Sequence, residues 1–251
     1  MVVARVALTI AGSDPSGGAG LQADLKTFHQ FGVYGEAVVT LVTVQNSLRV
    51  SRVELLPPDL IAEQIAAVVE DIPPAAAKTG ALGSVEAVRA VARAAASFAF
   101  PLVVDPVMVS KHGAPLGGGG WEDLLPHAAL VTPNLPEAEA LTGTADPRRA
   151  ASRLRDMGAR AVLVKGGHSA GDATDLLYDG EWTEFPAPRI PTRHTHGTGC
   201  TYSAAIAAGL ASGLPLREAV ARAKRFIHQA IATNPGLGRG CGPVNHHAEV
   251  T

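Results

Sequence analysis

Cysteine, aromatic side chains and long apolar runs are all scarce in this chain, and each scarcity removes a class of explanation. Only Cys200 and Cys241 are present among 251 residues, too few for a disulfide scaffold, and with 27 glycines in the same chain they read as free thiols. No cysteine and histidine cluster has the spacing of a metal site. Apolar runs such as VARVALTIAG and EAVVTLVTV are too short and too interrupted to cross a bilayer. The N-terminus lacks the charged, apolar and small-residue order of a signal peptide, so the expected location is cytoplasmic. An excess of one charge is missing too. The formal net charge is −2, and no run of lysine or arginine interleaves with aromatics, which argues against nucleic acid or a membrane as partner and leaves a small molecule.

What is present is a globular composition, 47% apolar and 18% charged, arranged as apolar β-branched runs alternating with longer segments of helical period. That pattern predicts a parallel sheet covered on both faces by helices. Strands are expected over residues 5–11, 36–44, 75–80, 101–105, 128–132 and 160–165, and helices over 19–31, 58–71, 84–98, 135–142, 147–157, 199–212 and 216–233. Two short alternating runs around Asp179-Gly180 predict an antiparallel hairpin at the sheet edge. No flexible linker divides the chain, so residues 1–251 read as one domain. The four glycines Gly117–Gly120 are expected to form a mobile loop. Alanine-studded helices are compatible with packing against a second subunit, and the expected assembly is a homodimer.

Four strand ends carry residues suited to chemistry. In IAGSDPSGGAGLQADLKTF, glycines 17, 18 and 20 lie between a strand and a helix, where backbone can approach a ligand closely; an ordinary tight turn would look the same. In VVDPVMVSKHG, Asp105 places a carboxylate at the carboxyl edge of the sheet, where ligands bind in open α/β folds. In LVTPNLPEAEALTG, Asn134 and Glu137 open a helix; they suit a hard cation such as Mg2+, or are simply a cap and a surface glutamate. In AVLVKGGH, Lys165 offers a point charge to a phosphate. The last stretch, HTHGTGCT, runs into the alanine-rich helix: Gly197, Thr198 and Gly199 make an anion hole from backbone amides, and Cys200 follows in its first turn. A helix start favours the thiolate, which predicts a thiol value lowered from about 8.5 toward neutrality.

The order GSDPSGGAGLQADLKTF, VQN, KTGAL, VDPVMVSKHG, TPNLPEAEALTG, VKGGH, HGTGCT and GPVNHH resembles the hydroxymethylpyrimidine and phosphomethylpyrimidine kinases of thiamine biosynthesis, over residues 5 to 247. The resemblance implies a ribokinase-like three-layer α/β/α sandwich, a mostly parallel central sheet, and ATP with Mg2+ as cofactors. It places the pyrimidine against Gly12, Ala19, Asp24 and Val42, with Gln45 hydrogen-bonding the ring's amino and nitrogen face. It brings ATP to Lys165, Asn134 and the Gly197–Cys200 turn, puts Mg2+ toward Asp105 and Glu137 through water, and makes Cys200 the base that receives the hydroxyl proton. Cys241 and histidines 194, 196, 246 and 247 receive no role.

One position departs from the family pattern: Ala81 stands where a methionine usually lines the substrate pocket. This keeps open a pyridoxal kinase on the same scaffold. Many relatives in the superfamily carry aspartate in place of Cys200, so the cysteine favours the pyrimidine branch or the related cysteine-bearing pyridoxal kinases. A non-catalytic pyrimidine-binding protein would have no use for the phosphate-site residues. A thiol hydrolase would need a histidine base that the motifs do not supply.

Overall fold

A computed structural model describes residues 5–110, 113–168 and 171–251; Lys111 and His112 of the Asp105 motif lie outside these. The first element is strand β1 (Val6–Ser13), buried along nearly its whole length, and helix α1 (Gly20–Gln30) follows it. Strand β2 (Tyr34–Asn46) then pairs parallel to β1 and turns back into β3 (Arg49–Leu55). Helix α2 (Pro58–Asp71), β4 (Ala76–Thr79), α3 (Val85–Ala95) and β5 (Leu102–Val104) continue the alternation. A short helix α4 (Trp121–Leu124) leads to β6 (Leu130–Val131), α5 (Leu135–Thr142), α6 (Pro147–Asp156) and β7 (Val162–Val164). The hairpin of β8 (Asp175–Tyr178) and β9 (Trp182–Phe185), and the paired helices α7 (Thr198–Ala211) and α8 (Leu216–Ala232), complete the order.

The nine strands form one sheet in the order β3-β2-β1-β4-β5-β6-β7-β8-β9. Strands β2, β1, β4, β5, β6 and β7 run parallel, β3 and β8 run against them, and β9 pairs antiparallel with β8. The hairpin expected at Asp179-Gly180 is β8–β9. A second antiparallel edge, β3, was not expected: RVSRVEL is exposed or half-exposed throughout, so no buried run marked it.

Two apolar layers flank the sheet. One joins Ala7, Val103 and Leu163 to α1, α7 and α8 through Phe28, Tyr202 and Phe226. The other joins Leu8, Ile10 and Val104 to α2, α3 and α6 through Ile61, Val88 and Leu154. Helix α7 is buried nearly all round, as expected of a helix apolar on every face. Its alanines therefore meet the sheet and α8 within the chain: a Cβ added at Gly209 would come within 2.9 Å of the Ala219 Cβ. The small side chains set a close helix–helix approach and need no second subunit to explain them.

The Gly117–Gly120 segment forms neither strand nor helix, but it is packed. A Cβ at Gly118 would come within 2.9 Å of the Val85 amide, so these glycines allow close approach to the start of α3.

Candidate active site

The carboxyl ends of β5, β6 and β7 bring three of the expected residues together. Asp105, just beyond β5, accepts from Lys165 Nζ at 2.7 Å and from Thr132 Oγ1 at 3.0 Å through Oδ1, while Ser203 Oγ donates to its Oδ2 at 3.4 Å. Burial works against the Asp105 charge, but Lys165, Lys78 and these hydrogen bonds outweigh it and hold the carboxyl below the usual range. Lys165 in turn stays above the ordinary lysine value: burial opposes its charge, and Asp105 and Glu137 more than offset that. Its amide donates to Pro133 O at 2.8 Å, which fastens the end of β7 beside the start of α5.

There Asn134 caps α5. Its Oδ1 accepts from the Glu137 amide at 2.9 Å, and Glu137 Oε2 accepts from the Asn134 amide at 2.8 Å, a reciprocal capping box. The capping role weighed from sequence is thus the geometry of Asn134, but Glu137 is no ordinary surface glutamate. Desolvation, only partly offset by Lys165 and reinforced by Asp105, pushes its carboxyl up to about 7.

The Gly197–Gly199 turn, expected from sequence to hold an anion, lies against this group. Gly197 takes φ +78° as the N-cap of α7, and a Cβ at Gly199 would sit 3.4 Å from Lys165 Nζ and 3.6 Å from Asp105 Oδ2. Thr198 Oγ1 donates to Thr195 O at 2.8 Å and steadies the turn. Cys200 is half-buried, and the Gly20 amide at the start of α1 favours its thiolate form. The expected lowering of its thiol is overturned. Burial pushes Cys200 up to about 11, and Lys78 and the Gly20 amide recover only part of that while Asp24 and Asp105 oppose ionisation. Desolvation of a charge outweighs a helix terminus, and so the thiol is neutral at pH 7 in the ligand-free protein.

The residues assigned to the pyrimidine divide into two groups. Ala19 is the half-buried N-cap of α1, Val42 is exposed on β2, and Gln45 lies half-buried where the β2–β3 register shifts. Gly12 and Asp24, in contrast, are buried and present no surface. A Cβ at Gly12 would meet Leu41, and Asp24 binds Lys78 Nζ at 3.0 and 3.1 Å and Thr9 Oγ1 at 2.6 Å. Asp24 therefore supports the site from beneath. Ala81 follows β4, and its carbonyl accepts from Thr40 Oγ1 at 2.6 Å.

Three charged or titratable residues had escaped the sequence reading. Lys78 is fully buried, and although burial opposes its charge, Asp24 and Asp105 keep it protonated. The only signal was a lysine inside the buried strand AAKT. His196 and Asp14, 182 residues apart, meet at 2.7 Å, a contact that no local pattern announces. Cys241 also has a place: its amide donates to Ser47 O at 2.8 Å and its Sγ to Arg193 O at 2.9 Å, tying the β2–β3 turn to the approach to the anion hole.

Chemically, the arrangement offers a cation, an amide-lined turn and two carboxylates around one point, with a thiol at its inner side. That suits a multiply charged phosphate group. Comparison with known proteins agrees. The family model for phosphomethylpyrimidine kinase matches residues 14–245. A hydroxymethylpyrimidine/phosphomethylpyrimidine kinase of Rhizobium meliloti is 48% identical, with 96% of each chain covered. The thiamine biosynthesis bifunctional protein ThiED of Geobacter sulfurreducens is 52% identical over 95% of this chain, which spans about half, 51%, of that protein's length. Among solved structures, an ADP complex of Bacillus subtilis pyridoxal kinase superposes with a TM-score of 0.88 at 38% identity, covering 98% of both chains. A phosphomethylpyrimidine kinase of Clostridium difficile does so with 0.78 at 41% identity, covering 90% of this chain and 99% of its own.

Proposed function

The chain belongs to the phosphomethylpyrimidine kinase family, and from that premise we propose how it phosphorylates 4-amino-5-hydroxymethyl-2-methylpyrimidine and then the monophosphate, with ATP as donor, in thiamine biosynthesis. The observation that carries the proposal is the convergence of Lys165, Asp105 and the Gly197–Gly199 turn at one strand-end cluster. In a loose phosphoryl-transfer transition state, negative charge spreads over the oxygens of the transferring group, so catalysis is mainly positioning and charge neutralisation. Lys165 and the amides at the start of α7 supply the positive side. Asn134 fixes Glu137 through the capping box and keeps the nucleotide end of the site in shape.

Mg2+, when bound, would neutralise charge on the phosphate oxygens. Asp105 and Glu137 are hard oxygen donors that fit it through water, and among the described residues no three acidic, histidine or cysteine side chains gather into a protein-only cage. On the other side, Gln45 reads the amino and nitrogen face of the pyrimidine, with Val42 and Ala19 along the ring and the buried Asp24 and Gly12 holding that wall. In the first step the substrate's hydroxyl oxygen bonds to the γ-phosphorus, the bond to the departing ADP oxygen breaks, and the hydroxyl proton passes to the ionised fraction of Cys200. In the second step the nucleophile is a phosphate oxygen already ionised, so no base is required and Cys200 matters less.

We also read residues 1–251 as a single kinase domain, cytoplasmic and homodimeric. The unbroken sheet supports the first, use of ATP the second, and the exposed Val42, Val44 and Leu55 on the β2–β3 hairpin the third. No helix among the described residues is long and apolar enough to cross a membrane. The deciding experiment follows ATP consumption with hydroxymethylpyrimidine, its monophosphate and pyridoxal side by side. Turnover of both pyrimidines is expected; turnover of pyridoxal alone overturns the reading and makes Ala81 the mark of a pyridoxal pocket.

A further inference from the structure

Two loops from opposite ends of the chain meet in the site, and the contact between them is polar, buried and short. His196 Nε2 lies 2.7 Å from Asp14 Oδ2, with Asp14 1% and His196 5% exposed. We propose that Asp14 and His196 form a positioning clasp that sets the substrate-side loop, residues 14–19, against the phosphate-side turn, residues 197–199.

Asp14 organises its own loop completely. Oδ1 accepts from the Ser16 amide at 2.8 Å and from Ser16 Oγ at 2.7 Å; Oδ2 accepts from the amides of Gly18 at 3.2 Å and Ala19 at 2.9 Å as well as from His196. Burial raises its carboxyl value, but His196 and Ser16 outweigh that, so the group is ionised and can only accept. His196 Nε2 therefore carries the proton in this bond.

On the other side, His196 is fixed by its backbone. Its amide donates to Gly242 O at 3.0 Å and its carbonyl accepts from the Val244 amide at 3.3 Å. The next residue is Gly197, where a Cβ would run into the Gly18 carbonyl, so the two loops touch backbone to backbone. Gly18 is equally constrained, since a Cβ there would come within 2.6 Å of His196 Cδ2. Ala19 then leads into Gly20, the first residue of α1. A shift of one loop against the other would thus move the hydroxyl pocket relative to the anion hole while leaving each intact.

This defines what the clasp does for the reaction, and the inference rests on the kinase reading above. Each ligand still finds its own half-site without the clasp, but the attacking oxygen and the phosphorus lose alignment. Misplacement of about 1 Å is enough to cost on the order of a hundredfold in rate. Both phosphorylations need the same alignment, so both should slow together.

The test is steady-state kinetics of both steps for the wild type, H196A, H196Q, H196N and D14N. Glutamine can bring a donor to the place of Nε2, whereas asparagine stops short. The expectation is kcat lowered about ten- to a hundredfold in H196A and H196N for both steps, KM values for ATP and pyrimidine within about threefold, and H196Q within about threefold of wild type. D14N, which also disturbs the loop bonds of Asp14, should cost more than H196A, and adding H196A to D14N should lose little further. Melting temperatures of H196Q and H196N, measured alongside, separate folding from alignment. Equal kcat in H196Q and H196N at matched stability, or a loss confined to KM for ATP, overturns the clasp. A wild-type protein that phosphorylates neither pyrimidine overturns the functional reading instead.

Discussion

The backbone amide of Gly20, the first residue of α1, favours the thiolate of Cys200 in the first turn of α7. Two helix starts, from opposite ends of the chain, therefore face one thiol. Both favour a thiolate, and Lys78 adds a full positive charge, yet burial and the carboxylates of Asp24 and Asp105 keep the thiol at about 11. Amide dipoles at the end of a helix amount to about half a charge. They moderate the desolvation cost without cancelling it.

The first prediction follows from that value. At pH 7 a thiol of about 11 is ionised in about one molecule in ten thousand, and the fraction rises tenfold per pH unit. If Cys200 is the base, kcat for hydroxymethylpyrimidine should climb by roughly tenfold per unit between pH 7 and 9, while the second phosphorylation stays nearly flat. C200D, ionised throughout this window, should flatten the first profile, and C200A should slow the first step far more than the second. A flat first-step profile in the wild type removes Cys200 as the base.

The buried pair beneath the thiol gives the second prediction. Lys78 and Asp24 are both 0% exposed, and replacing one strands the charge of the other. K78M should lower stability by about 3–5 kcal/mol in urea denaturation, and K78M with D24N should recover much of it. The double variant should alkylate at Cys200 more slowly than D24N alone, because between these two only the Lys78 charge differs; this is read in a C241S background. Unchanged alkylation would show that Lys78 serves packing alone.

Residues that act through local pattern were legible in the sequence, and those that act through distant pairing were not. Helices α2 and α5 begin and end where proline, the Asn134 cap and Gly143 put them, and the Asp179-Gly180 turn announced β8–β9. Asp105, Lys165 and Glu137 could be grouped because a parallel sheet gathers its strand ends at one edge, while the Gly197–Gly199 turn was marked by the helix it opens and joined to them through the family resemblance. Strand β3 was missed because an exposed edge strand needs no apolar alternation. The Asp14–His196 contact depends on the relative placement of two loops 182 residues apart, and the sign of the Cys200 shift on how completely the fold excludes water. Neither quantity is written in neighbouring residues.

Gly197 supplies a third prediction. Its φ of +78° disfavours any side chain, and the Gly18 carbonyl occupies the space a Cβ would need. G197A should therefore separate the two loops and lower kcat by at least about tenfold, with an additional loss of stability of about 1–3 kcal/mol. G213A is the control: it also replaces a glycine of positive φ, +82°, but nothing lies within 4 Å of a Cβ there, so stability alone should suffer. Equal effects of the two substitutions on kcat would mean that backbone strain, and not the loop contact, is what matters at Gly197.

The last prediction concerns acid stability. His246 is buried, with Nε2 3.1 Å from Thr201 Oγ1 in α7, and desolvation, reinforced by the charge of Lys26, holds it down at about 4. An unfolded histidine titrates near 6.5. Between these two values the unfolded chain binds a proton that the folded protein refuses, so stability rises with pH across that window. The contribution is complete above about 6.5 and is lost as pH falls toward 4. At about 1.4 kcal/mol per unit the gap corresponds to about 3 kcal/mol. H246N, which has no ionisable ring, should remove about 2.4 kcal/mol of the difference in unfolding free energy between pH 7 and pH 4.5, the part of the gap this window spans, measured by urea denaturation at each pH. An H246N protein with the same acid slope as the wild type would place the acid sensitivity elsewhere; the Asp14 carboxylate is the alternative that acts only at still lower pH. That alternative is distinguishable by its window: Asp14 is held low, so its stabilisation is present above the ordinary aspartate value near 3.9 and disappears only below it.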